Sequence, residues 1–282
     1  MNTDTKPNIE ASQGWKAALH LGYEPRQNIT KLVRRTQRGP LAVQRSLYPE
    51  GATCHTYLLH PPGGVVGGDQ LDIRVQTSEG AHAVITTPGA TKFYRSEGKL
   101  AYQRQTLTVE SGSTLEWLPQ ENICFPGAHA QITSDIYLAL GSRYLGWEIQ
   151  CLGRPANGET FEMGMINSAS RVWMGKKLVL VDQLRNQGSE LIRSASGLRG
   201  HAMNATLIAG TLGEAHLEGV RACLGEIDTD CQFGVTWMDD LLIVRVLGNN
   251  TEAIQQLLIP ARDYLREHWL NLPAHAPRIW AT

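Results

Sequence analysis

Leu71-Asp72-Ile73-Arg74-Val75-Gln76 decides the fold class. Apolar side chains at 71, 73 and 75 alternate with polar ones at 72, 74 and 76, which is the period of a β-strand with one buried face. Upstream, Trp15, Ala17, Leu19 and Leu21 repeat the pattern. Around these two segments, further strands are predicted over 28–34, 41–47, 53–59, 81–87, 101–109, 114–118, 130–139, 144–152, 160–167 and 177–184. Turn residues separate them, as in Glu50-Gly51, Glu79-Gly80, Ser111-Gly112, Pro126-Gly127 and Asn157-Gly158. Many short strands at near-regular spacing predict a mostly β protein: a sandwich, a barrel or an irregular stack of strands.

The last hundred residues change character. Leu217, Val220 and Leu224 recur at helical spacing, as do Ile254, Leu257, Leu258, Ala261, Leu265 and Trp269. Two helices are therefore predicted, over 214–224 and 251–270, with Pro260 expected to kink or split the second. Between them, 231–237 and 241–247 read as strands joined by a turn at Asp239-Asp240. The division predicted is a flexible tail at 1–13 and one domain over 14–282, a β stack to residue 186 followed by an α/β part.

A chain of 282 residues can bury a core without staples. Its net charge of −1 provides no field to attract nucleic acid or an anionic membrane, and no apolar run is long enough to span a bilayer as a helix. Residues 1–14 lack the apolar centre of an export signal. With five unpaired-looking cysteines, this predicts a cytoplasmic protein with free thiols.

The stretch His60-Pro61-Pro62-Gly63-Gly64-Val65-Val66-Gly67-Gly68-Asp69 invites a phosphate-loop reading. Gly63 and Gly68 have the spacing of that motif, but Asp69 and Gln70 stand where it needs Lys and Ser or Thr. A rigid connecting turn is the better reading. The cluster Lys92-Phe93-Tyr94-Arg95 is too small for a nucleic-acid patch. There is no GxSxG elbow, HExxH, CxxC or HxH. Cys54 and His55, adjacent on a predicted strand, point to opposite faces; they read as a core cysteine beside a half-exposed histidine.

Several blocks in order carry a family resemblance. They are the His60–Asp69 loop, Thr86-Thr87-Pro88-Gly89-Ala90-Thr91-Lys92-Phe93-Tyr94-Arg95, Leu115-Glu116-Trp117-Leu118-Pro119-Gln120-Glu121, Cys151-Leu152-Gly153-Arg154-Pro155, Gly158-Glu159-Thr160-Phe161 and the closing Pro277-Arg278-Ile279-Trp280. From about Gly14 to the end, the chain resembles the UreD (UreH) family of urease accessory proteins. The resemblance implies a helix-like stack of strands with two helices and a non-catalytic chaperone. It also implies a UreF-like accessory partner, a UreG-like GTPase reached through it, and docking on apo-urease for nickel insertion. No permanent cofactor is implied, only nickel in transit.

A carrier that must release nickel should use carboxylates, hydroxyls and water rather than thiolates or imidazoles. Strand parity places Asp69 in phase with Leu71, Ile73 and Val75, and Asp182 in phase with Leu178, Leu180 and Leu184. An inward carboxylate must be paired, hydrated or metal-bound. A polar internal passage lined by Asp69, Asp182, Glu148 and Thr91 is therefore expected, Glu148 being the weaker choice because Trp147 and Ile149 suggest that the opposite face is the buried one. A β-stacked carbohydrate-active enzyme, with two carboxylates in an open cleft, is the alternative.

Overall fold

A computed structural model describes residues 14–281; the tail expected at 1–13 lies outside the described residues. In chain order the strands are β1 (Lys16–Arg26), β2 (Ile29–Arg38), β3 (Ala42–Val43), β4 (Cys54–Leu59), β5 (Gln70–Thr77), β6 (His82–Thr86), β7 (Thr91–Phe93), β8 (Ala101–Val109), β9 (Thr114–Leu118), β10 (Asn122–Cys124), β11 (His129–Leu138), β12 (Arg143–Arg154), β13 (Glu159–Thr160), β14 (Met165–Met174), β15 (Lys177–Gln187), β16 (Met203–Gly210), β17 (Gln232–Met238) and β18 (Leu241–Gly248). The α-helices are α1 (Glu190–Arg193), α2 (Leu217–Gly225) and α3 (Thr251–Leu265).

The strands form a stacked coil rather than a closed barrel. Parallel strands need a crossover connection, and here the crossover is a strand of the other sheet. Successive turns place β5, β8, β11 and β14 in parallel in a seven-stranded sheet, and β6, β9 and β12 in parallel in an eleven-stranded one. The first sheet ends in antiparallel partners, β2 on β1 and β15 on β14. β2 carries Lys31, Arg34, Arg35 and Arg38 along its edge, charges that discourage further strand addition. β16 adds antiparallel to β12 and β18 antiparallel to β16, so the C-terminal strands extend the second sheet.

The two sheets differ in pattern because they differ in burial. The first alternates, with Leu71, Ile73 and Val75 inward and Asp72, Arg74 and Gln76 outward. The second is covered on both faces, by the first sheet on one side and by α2 and α3 on the other. Its strands are therefore nearly continuous apolar runs. β16, Met203-Asn204-Ala205-Thr206-Leu207-Ile208-Ala209-Gly210, is such a run, and for lack of alternation the sequence reading passed over it.

α3 buries Ile254, Leu257, Leu258, Ala261 and Leu265, each large side chain contributing roughly 1.5–3 kcal/mol. Asn250 caps it, its side-chain oxygen accepting from Glu252 N at 2.7 Å and Ala253 N at 3.3 Å. Pro260 does not split the helix, which runs unbroken to Leu265 and continues as a π turn over Arg266–Leu270. The burial of this stripe outweighs one missing hydrogen bond. Asp239 and Asp240 both adopt positive φ, 46° and 57°, the geometry of a two-residue hairpin turn. His55 is not half-exposed: with sheet on one side and α3 and the C-terminal segment on the other, it is completely buried. Among the described residues, no helix is long and apolar enough to cross a membrane.

Candidate functional site

In-register stacking lines up polar side chains far apart in sequence. On the inward face of the first sheet, Gln105, Ser134, Ser170 and Asp182 are successive neighbours across β8, β11, β14 and β15. Facing them on the second sheet are the row Thr91, Asn122, Gln150 and Asn204 and the row Glu148, Thr206 and Arg245. Apolar residues lie on either side, with Leu107, Ile136 and Val172 toward one end of the stack and Ala130, Ile166 and Leu152 toward the other. The inter-sheet space is thus oily at both ends and carries a polar belt across its middle.

Two cavities follow this belt. One, of about 200 Å³, touches His60, Gly64, Thr91, Lys92, Gln103, Gln105, Asn122 and Glu148. The other, of about 290 Å³, touches Glu148, Gln150, Ser168, Ser170, Asp182, Thr206 and Arg245. Glu148 belongs to both walls. Trp147 and Ile149 do point to the opposite, helix-covered face, but both faces of β12 are buried, so Glu148 faces the inter-sheet space.

Ser134 Oγ donates to Glu148 Oε1 at 2.9 Å, while Oε2 is buried without a partner. Gln105 Oε1, Asn204 Oδ1 and both polar atoms of the Gln150 amide are likewise buried and unpaired. Such atoms are costly in a dry interior, and their gathering in one belt makes a polar space suited to bound water. Burial drives the Glu148 carboxyl up to about 7, against the smaller opposing pull of Ser134, Trp117 and Gln105. Asp182 accepts from Thr206 Oγ1 at 2.7 Å and pairs with Arg245 Nη2 at 3.2 Å. Its strand parity needs one correction: a bulge at Val179 turns Leu178 outward, while Leu180, Asp182 and Leu184 stay inward.

Asp69 stands apart. Its Oδ1 accepts from Trp15 N at 2.7 Å and its Oδ2 from Val66 N at 2.9 Å, so it caps the glycine-rich loop and lines neither cavity. Strand parity put the carboxylate on the inward side, but two backbone donors at the strand entrance hold it. Asp69→Ala should cost about 1–3 kcal/mol by leaving those amides unpaired, read as a lower denaturant midpoint. Beside it, burial lowers the His60 pKa, partly offset by Asp69.

The family-signature residues are mainly fasteners. The His60–Gly68 loop is pinned to β7 by Val65 N→Lys92 O at 2.7 Å and Tyr94 N→Val65 O at 2.9 Å. A Cβ on Gly64 would lie 2.2 Å from the Tyr94 ring, and Gly68 has φ +99°, so neither position tolerates a side chain. Pro61, Pro62 and Gly63 are exposed on its outer turn, and Gly67 packs against Ser96. Arg95 flanks Gly127, and Arg154 Nε pairs with Glu159 at 2.8 Å. Glu116 does not face the belt at all. It is buried on the helix side, bound by Arg262 of α3, by Arg266 and by His82.

Among the described residues, no three His, Cys, Asp or Glu side chains are grouped to hold a metal ion. The belt is therefore lined by hydroxyls, amides and single carboxyls. What the sequence reading missed is the amide and hydroxyl complement, Gln105, Gln150, Asn204, Ser134, Ser170 and Thr206. The parity of Gln105, Ser134 and Gln150 followed from recognised strands, whereas Asn204 and Thr206 lie on the unrecognised β16, and the alignment of the whole set depends on pairing between strands.

Comparison with known proteins places this architecture. Residues 16–281 match the family model described as UreD urease accessory protein. The chain is 48% identical over 274 residues to the urease accessory protein UreD of Alcanivorax borkumensis, covering 96% of this chain and 93% of that one. It is 44% identical to the protein of that name from Vibrio parahaemolyticus and 43% identical to that of Aliivibrio fischeri strain MJ11, covering 96% of this chain and 98% of each. With the match spanning nearly every described strand and helix, the chain belongs to the UreD family of urease accessory proteins.

Proposed function

We propose that this chain assists urease maturation in the cytoplasm by passing hydrated nickel through the polar belt between its sheets toward apo-urease. It acts as a chaperone without catalysing a reaction, in complex with a UreF-like partner and, through it, a UreG-like GTPase. The observation that carries the reading is the meeting of two cavities at Glu148, where unpaired oxygens gather in an otherwise apolar core. Hydroxyl, amide and carboxylate oxygens grip nickel more weakly than thiolates or imidazoles do, and a conduit must let its cargo leave. Asp182 and Thr91 stand in the two cavities on either side of Glu148. Arg245, half exposed, can release Asp182 by swinging outward.

The test is a Glu148→Gln/Asp182→Asn double variant assayed for the nickel content of urease matured in its presence. Loading should fall about tenfold, the scale of losing groups that orient or attract a metal, while co-purification with the partner proteins is unchanged. Normal loading by the folded variant would sink the conduit and leave a docking role alone. No observation favours the carbohydrate-active alternative, because the belt carboxyls lie between packed sheets rather than across an open cleft.

A further inference from the structure

The far face of the second sheet carries a separate polar feature. Residues 271–281 run back as a strap across α3 and the helix-side face of β4 and β6. Arg262 Nη2 donates to His275 O at 2.9 Å, Arg266 Nε to Pro273 O at 3.0 Å and Trp280 Nε1 to Thr86 Oγ1 at 3.1 Å. Beneath the strap lies His55, whose Nε2 is 2.6 Å from Glu50 Oε1. When Nε2–H donates to that carboxylate, Nδ1 is the ring nitrogen left with a free lone pair. Nδ1 is buried and has no partner; neither has the buried His275 Nε2 of the facing ring. The ring centroids are 6.0 Å apart at an interplanar angle of 89°. Two residues along the same face, the Tyr57 hydroxyl is also buried and unpaired.

A carboxylate behind an imidazole whose other nitrogen is free is the arrangement that orients metal-binding histidines. The spacing agrees. With metal–nitrogen bonds of about 2.0–2.1 Å, two imidazole centroids sharing an ion lie roughly 5.2 Å apart at a tetrahedral angle and 6.4 Å apart when opposed. The observed gap falls inside that range. Arg262 and Arg266 are close by, but Glu50 and Glu116 match them, so the site is not cationic overall. Two imidazole donors suit zinc, nickel or cobalt rather than magnesium or calcium.

We propose that His55 Nδ1 and His275 Nε2 form a binding site for a borderline divalent transition-metal ion that staples the C-terminal strap to β4. The site faces α3, on the side of the sheet away from the polar belt, and stands or falls independently of the conduit.

The test uses the full chain carrying Cys223→Ser and Cys231→Ser, which removes the partly exposed thiols. Calorimetric titration with Zn²⁺ should show a single saturable equivalent. His275→Ala, a change on the strap rather than in the sheet, should weaken it about tenfold or more. Glu148→Gln/Asp182→Asn should leave it intact, and Zn²⁺ should slow hydrogen exchange of the strap only when His275 is present. Unchanged affinity in His275→Ala, or loss of binding in the belt variant instead, would place the ion elsewhere and overturn the proposal. No Zn²⁺ uptake by the parent chain would overturn it too, leaving the two rings bridged by water.

Discussion

Glu116→Ala is expected to destabilise the fold by about 3–5 kcal/mol, the scale of stranding a buried charge. Glu116, Arg262 and Arg266 are all completely inaccessible to solvent. The carboxylate takes Arg262 Nη2 at 3.1 Å, Arg266 Nη1, and His82 Nε2 at 2.9 Å. Remove it, and two guanidiniums stay buried between α3 and the sheet with only Glu50, Asp263 and strap carbonyls to answer them. Equilibrium denaturation checks this; a cost under about 1 kcal/mol would place the site in the range of exposed pairs and overturn the reading. The pH dependence has a definite sign. Burial alone would raise the Glu116 pKa, but Arg262, His82 and Arg266 outweigh it and hold it well below the ordinary carboxylate value. An acid with a lowered folded pKa contributes stability that is full above its unfolded pKa and is lost as the pH falls toward the folded one. The anchoring of α3 should therefore weaken in acid, from about pH 4.5 downward, and Glu116→Ala should remove that acid sensitivity.

Glu148→Gln is expected to act in the opposite direction on stability. Here burial raises the folded pKa to about 7. The folded state binds this proton more tightly than the unfolded chain does, so its contribution is full below the unfolded pKa and lost as the pH rises through the folded one. A gap of about two to three units corresponds to roughly 3 kcal/mol once both states are ionised. The variant and parent should be similar at pH 5 and diverge toward pH 8, the amide form having the higher Tm. A stability advantage of the same size at every pH would show that packing, not ionisation, accounts for it.

Legibility differed from element to element. β5 was readable because one face of the first sheet meets water and the other meets the core, so polarity alternates along the strand. β16 was not, because both its faces are covered. α3 was readable from its apolar stripe, and of the two outcomes expected at Pro260 the split does not occur, because the five buried side chains hold the helix together despite a lost hydrogen bond. Asp182 was placed correctly from parity, although a bulge removed one of the residues used to place it. Asp69 was assigned to the correct side of its strand and still missed the belt, since two backbone amides nearby claim both its oxygens. The burial of His55 was not legible because much of its cover, the strap with His275, comes from the far end of the chain.

The sequence by itself determined the predominance of strands, the two-helix C-terminal region and, through its ordered blocks, the family, because alternation, turn chemistry and motif order are local properties. Only the tertiary structure decided which polar residues share a space. Gln105, Ser134 and Ser170 lie about thirty residues apart from one to the next, with Asp182 across a hairpin from Ser170, and strand register makes the four neighbours. The same holds for Glu116 with Arg266 and for His55 with His275, pairs that meet because α3 and the strap return to strands laid down near the beginning of the chain.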